Sequence, residues 1–257
     1  MKFWVSAVLW NDFLVAGQDQ KELLGVAEKF GLSGFEVRPF WKENPLTEAR
    51  EMAALASAKG LELSYACNEA ILTESLVKNQ ETFKGILKSI EIAKAMNSKV
   101  LRVNIDPQAD WALLESEDWQ AGAAEVLAVA EAEGICLALE NPPNGRVGTI
   151  EAIGRLLNQL PKLQLTFDTG NWVIAGNHPS DAVQAFAGRI GYLHLKDIRI
   201  LGGGAYGHCQ PGLGGIDFHP LLKELGEAGY QGPKVLEFLA GQEPEARIQA
   251  ALDYLEK

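Results

Sequence analysis

Cysteine, histidine and clustered positive charge are all scarce in this chain of 257 residues, and each shortage narrows what it does. Only three cysteines are present, Cys67, Cys136 and Cys209, far apart and with no CxxC pair. An odd, scattered set fits a reducing cytoplasm in which buried thiols act as small hydrophobes. Basic residues number 23 against 34 acidic ones, a formal charge of −11, and no basic run exceeds two residues. Nucleic acids and anionic membranes both demand a basic footprint, so neither is an expected partner. Long apolar runs are missing as well. The N-terminal stretch Phe3 to Leu9 is too short for a signal-peptide core and for a bilayer span, and the expected location is cytoplasmic. Low-complexity segments and long linkers are absent, which favours one domain over residues 1–257.

What the sequence does have is a rhythm. Helix-like stretches end on Gly or Asn and run at once into apolar strands, as in "VAEKFGLSGFEVR", "LASAKGLELSYA", "IAKAMNSKVLRVN", "VAEAEGICLALEN" and "ELGEAGYQGPKVLEF". Gly and Asn tolerate the left-handed conformation that closes a helix, and the short αβ loop that follows is typical of parallel βα units. Eight strands are predicted, at 2–9, 34–38, 61–66, 99–104, 135–140, 163–168, 191–196 and 233–238. Eight βα units on this length have the scale of a (β/α)₈ TIM barrel. A doubly wound open sheet would carry a glycine-rich phosphate loop after strand one, where this chain reads "WNDFLVAGQDQ".

In such a barrel the chemistry sits where strands end. The last four strands close with "LALEN", "LTFDTGN", "YLHLKD" and "KVLEF", so Glu140, Asp168, His194 and Glu237 all point at one mouth. Converging carboxylates repel unless a cation joins them. Three oxygen donors and one imidazole suit one divalent ion, Mn²⁺, Mg²⁺ or Co²⁺, and Zn²⁺ also fits. Taken singly, each residue has a plainer reading. Either Glu serves as a cap or salt-bridge partner, Asp168 as an Asx-turn before Gly170, and His194 as a core histidine. Their equivalent placement on successive strands favours the metal site.

The motifs "LENPPNG", "FDTGNWVIAGNHP", "YLHLKDIR" and "GLGGIDFHPLLKELGEAGYQGPKVLEF" resemble those of the xylose-isomerase-like TIM-barrel proteins, the sugar phosphate isomerase/epimerase family. That family spans ketose epimerases, hydroxypyruvate isomerase, inosose and dehydroshikimate dehydratases and endonuclease IV. The resemblance implies a metal site on Glu140, Asp168, His194 and Glu237, with Glu140 and Glu237 as catalytic acid and base. The implied reaction is isomerisation or epimerisation of a small sugar, keto-sugar or sugar phosphate through a metal-stabilised enediolate. The alternative is a lyase that dehydrates a keto-polyol from the same first step. Two departures stand out. Asn171 falls where many members carry His, and the strand-three end "SYACNEA" lacks the His seen in others. With four histidines in all, the trinuclear zinc site of endonuclease IV cannot be assembled in its usual form, which removes DNA repair.

Further candidates lie around the mouth. Arg38, Arg102, Asn171, Lys196 and His208 are expected substrate contacts, with plainer alternatives. Arg38 and Arg102 could form helix-facing salt bridges, Lys196 could pair with Asp197 at the rim, and His208 could be solvated. The long loop "RILGGGAYGHCQPGLGGIDF" reads as a lid or, more weakly, a phosphate cradle. Asp217 is expected to cap the helix after it. Trp10, Trp41 and Trp172 either wall the pocket, face a partner subunit in a homo-oligomer or simply pack. Cys67 has no adjacent His to activate it as a nucleophile.

Overall fold

The computed structural model describes residues 2–257. Strand β1 spans Phe3–Ser6, β2 Gly34–Val37, β3 Glu62–Ala70, β4 Val100–Asn104, β5 Cys136–Glu140, β6 Gln164–Asp168 and β7 Ile190–Leu195. A hairpin follows, β8 Asp197–Ile200 and β9 Tyr206–Cys209, and then β10 Lys234–Leu236. Eight of these close into a parallel barrel in the order β1-β10-β7-β6-β5-β4-β3-β2, with β2 paired back to β1. Helices such as Pro45–Ala58, Leu76–Ala95 and Glu117–Ala132 lie between the strands in sequence, Pro244–Leu255 follows the last strand, and together they cover the barrel. The cap residues act as their types require: Gly134 and Asn97 sit at φ 65° and 56°.

Strand pleating sorts the side chains into two populations. Outward positions such as Phe35, Val37, Leu101, Val103, Leu137, Leu139, Leu165 and Phe167 join the main core beneath the helices. Inward positions Trp4, Val100, Ala138, Tyr192 and Val235 form a separate apolar plug low in the barrel. Gly34 makes room for this plug, since a Cβ there would collide with the Trp4 indole and the Glu62 carbonyl. One or two inward steps further along the strands, the plug gives way to charged side chains.

Several boundaries differ from the expectation. β1 stops at Ser6, because the Ser6 hydroxyl accepts from Val8 N (3.3 Å) and starts a 3₁₀ turn over Ala7–Trp10. β3 runs on to Ala70, with a register break between Ala66 and Ala70 in its pairing to β4. The glycine-rich loop contains the β8–β9 hairpin rather than irregular chain throughout. No described helix is long and apolar enough to cross a membrane.

Candidate metal centre and active site

Glu140 closes β5, Asp168 closes β6, His194 lies near the end of β7 and Glu237 follows β10. Asp168 and His194 are direct cross-strand partners, as are Val235 and His194, so barrel register stacks these residues at one level. One ligand atom from each of the four lies within 4.8 Å of the others. Asp168 and His194 are wholly buried and Glu237 is nearly so. Asp168 also accepts from Asn171 N at 2.8 Å, so it caps the following helix and faces the cluster with its other oxygen. The turn-and-cap reading therefore holds, and it leaves Oδ2 turned to the cluster.

Four charged neighbours, Glu36, Arg38, Arg102 and Lys196, set the electrostatics of the cluster. His194 lies between two carboxylates, Nδ1 2.8 Å from Glu140 Oε1 and Nε2 2.7 Å from Glu36 Oε2. Burial alone would lower its pKa, but the Glu36 charge and the hydrogen bonds to Glu140 and Glu36 raise it to about 10. Burial pushes the Glu140 carboxyl up, yet Arg102 and His194 outweigh it and hold it well below the usual range. Glu237 is likewise pushed up by burial, then drawn down to about 2 by Lys196 and Arg38. Asp168 goes the other way. Burial, with the Glu237 and Glu140 charges, outweighs Lys196 and lifts it to about 6.

The donor set fits a divalent ion on a second ground. Asp168 Oδ2 and Glu237 Oε2 are buried and receive no hydrogen bond. Lys196 Nζ approaches them at 2.8 and 2.6 Å, but as an ion pair without hydrogen-bond geometry. Two buried oxygens that meet only the Lys196 charge and accept no hydrogen bond, beside an imidazole nitrogen and a third carboxylate, can hold a metal.

The remaining sequence candidates fall into place around this cluster. Arg38 and Arg102 both turn inward: Arg38 Nη2 lies 2.7 Å from Glu237 Oε1, and Arg102 Nε 3.6 Å from Glu140 Oε2. Helix-facing salt bridges are therefore ruled out for them. Lys196 does not pair with Asp197, because neighbours on an extended chain point to opposite sides. Asn171 is buried, its amide donating to Asn141 O at 3.0 Å. His208 sits exposed on β9, where local crowding and then the Lys196 charge lower its pKa.

Asp197 instead gathers four backbone N–H groups, those of Ile198, Gly212, Gly214 and Ile216, at 2.8 to 3.1 Å. The amides that a phosphate cradle would use are thus spent on a carboxylate. A Cβ at Gly214 would collide with Asp197, which explains the glycine. Asp217 occupies the expected cap position but makes no capping bond. Trp172 stacks on Phe186 and Trp10 is buried, so both pack; Trp41 is half-buried and donates to Tyr65 Oη. Burial pushes Cys67 up to about 12, far from a nucleophile.

Two residues of the constellation escaped the sequence reading. Glu36 lies near the end of β2, and its link to His194 crosses 158 positions. Asn141 clamps Asp168 through two bonds, Oδ1 accepting from Asp168 N and Nδ2 donating to Asp168 O.

Comparison with known proteins agrees with this geometry. The family model described as xylose isomerase-like TIM barrel matches residues 24–257. The chain belongs to that family. An inosose dehydratase from Clostridium botulinum is 27% identical, with 83% of this chain and 87% of the relative aligned. A solved D-tagatose 3-epimerase-like protein superposes with a TM-score of 0.78 at 23% identity, covering 100% of this chain and 97% of its own. A probable 3-DHS dehydratase from Bacillus anthracis gives 0.76 at 16% identity, covering 100% and 99%. At these identities the solved structures show the fold. Proteins named as an epimerase-like protein and as a dehydratase thus share this barrel fold.

Proposed function

We propose that residues 1–257 form one catalytic domain, a divalent-metal-dependent isomerase or epimerase of a small sugar, keto-sugar or sugar phosphate. The observation that carries this reading is the convergence of Glu140, Asp168, His194 and Glu237 at the barrel mouth, two of their buried oxygens without hydrogen bonds. Glu140, Asp168, His194 and Glu237 would hold Mn²⁺, Mg²⁺ or Co²⁺, with Zn²⁺ also suited, and the ion would supply Lewis-acid polarisation of a carbonyl.

The chain's own residues do the rest. Glu140 and Glu237 come from β5 and from the end of β10, with β6 and β7 between them in the barrel, so they flank a substrate from different sides. One, as the carboxylate, takes the proton from the carbon α to the carbonyl; the other must first take up a proton from solvent and, as the carboxylic acid, gives it to the opposite face of the enediolate. Arg38 and Arg102 keep those two carboxylates aimed. Lys196, with Asn171 Oδ1 3.4 Å from its Nζ, and His208 at the rim are placed to meet substrate hydroxyls. The mouth suits a small carbohydrate; nucleic acid and membrane are not partners in this reading, and the work is cytoplasmic.

The second reading is a lyase, and the curated inosose dehydratase relatives favour it. It shares the first proton transfer. The enediolate then expels a β-hydroxyl, which leaves as water after taking a proton from an N–H donor such as Lys196, and a conjugated carbonyl remains. Incubating the metal-loaded protein with keto-sugars and keto-polyols in D₂O separates the two. Deuterium entering recovered ketose or its epimer supports the first, and a new enone absorbance supports the second. Neither signal with any metal would overturn both.

A further inference from the structure

Strands β1 and β2 supply none of the four donors, yet they hold one of them in place. Glu36, on β2, is wholly buried. Its Oε2 lies 2.7 Å from His194 Nε2. Its Oε1 accepts from Ser6 Oγ at 2.7 Å and from Arg38 Nε at 3.1 Å. Every contact on this carboxylate therefore calls for a donor, and at His194 that donor is the Nε2–H. The other ring nitrogen, Nδ1, then faces Glu140 Oε1 at 2.8 Å and Asp168 Oδ2 at 3.9 Å. An imidazole gives a lone pair from one nitrogen when its proton is fixed on the other.

We propose that Glu36 is a positioning residue for the metal centre: it fixes the proton of His194 on Nε2 and thereby presents Nδ1 to the ion. Through Arg38, which also reaches Glu237 Oε1 at 2.7 Å, the same carboxylate braces a second donor across the barrel. The inference rests on the metal-binding half of the proposed function.

Glutamine is nearly isosteric with glutamate and exposes the role. Its amide NH₂ must face either the Ser6 and Arg38 donors or His194. The first sets donor against donor. The second makes Nε2 the acceptor and moves the ring proton to Nδ1, where the ion would bind.

The test uses the full chain loaded with diamagnetic Zn²⁺ and labelled with ¹⁵N-histidine. Long-range ¹H–¹⁵N correlation reports which ring nitrogen carries the proton, and the signal missing from His194→Asn assigns the ring. Wild type is expected to show Nε2 protonated and Nδ1 bound to metal. Glu36→Gln is expected to weaken Zn²⁺ binding in calorimetry by about 10–100-fold and to change the His194 ring signal. Ser6→Ala, which leaves the carboxylate in place, should weaken binding less. Wild-type His194 with its proton on Nδ1, or a folded Glu36→Gln with unchanged affinity and ring signal, overturns the proposal. Should Glu36→Gln not fold, the wild-type spectrum decides alone. Absence of Zn²⁺ uptake by wild type overturns the functional reading, and this inference with it; uptake through Nε2 overturns this inference only.

Discussion

The Lys196 ammonium lies 2.8 Å from Asp168 Oδ2 and 2.6 Å from Glu237 Oε2, so one side chain neutralises two members of the carboxylate cluster. All three groups are buried, and breaking one partner out of such a set leaves uncompensated charge. Lys196→Met is expected to cost the metal-free protein about 3–5 kcal/mol of stability, the range for a broken buried pair. Divalent ion should restore part of the loss, because it supplies the missing positive charge. Urea unfolding of both proteins, with chelator and with Mn²⁺, measures the two effects. An equal response to Mn²⁺ in both would contradict the account.

The metal-free site also has a pH signature. His194 titrates near 10 in the folded protein against an ordinary 6.5, because Glu36 and Glu140 outweigh its burial. A folded pKa above the unfolded one gives stability that is whole below the unfolded value and fades as pH rises through the folded value. Stability in chelator should therefore decline from about pH 6.5 to about pH 10. Urea midpoints across that window check it, and His194→Asn should lack this part of the decline.

Glu140→Gln and Glu237→Gln preserve size while removing the base. Either is expected to reduce turnover by at least ~10²-fold, the lower bound for losing general-base help. Steady-state rates with metal content measured on the same samples give the answer. Near-normal rates with metal retained would make both residues ligands only, and Lys196 and His208 the next bases to examine.

No thiol should react quickly in the native state. Burial raises Cys67 to about 12 and both Cys136 and Cys209 to about 11. Thiolate is the reactive form, so at mildly alkaline pH very little is present. Intact-mass analysis after iodoacetamide should show an unlabelled folded protein and three labels once it is unfolded. Rapid single labelling of the folded chain would point to an activated cysteine.

The barrel and the four converging donors were legible because both depend on short-range signals. Left-handed caps at positions such as Asn97 and Gly134 mark helix ends, and each donor lies at or near the last residue of an apolar run. The Glu36–His194 contact was not legible, since it depends on barrel closure placing β2 within reach of β7. Lys196 illustrates a different limit. Asp197 is its neighbour in sequence, but pleating turns the two apart and leaves Lys196 facing carboxylates from β6 and β10. The hairpin was hidden by its glycines, which read as irregular loop although Ile198–His208 and Ile200–Tyr206 pair in ordinary antiparallel register.

Asp197 divides the longest excursion of the chain into a fixed base and a free tip. The base, Gly212 to Ile216, is tied to one buried carboxylate, while Ile200, Leu201 and Tyr206 at the tip stand exposed. Sequence and length can therefore vary between Ile200 and Tyr206 without disturbing the register of β7 and β10 or the donors they carry. For protein engineering this makes the tip an exchangeable cassette: grafts there would leave the barrel beneath to fold as before.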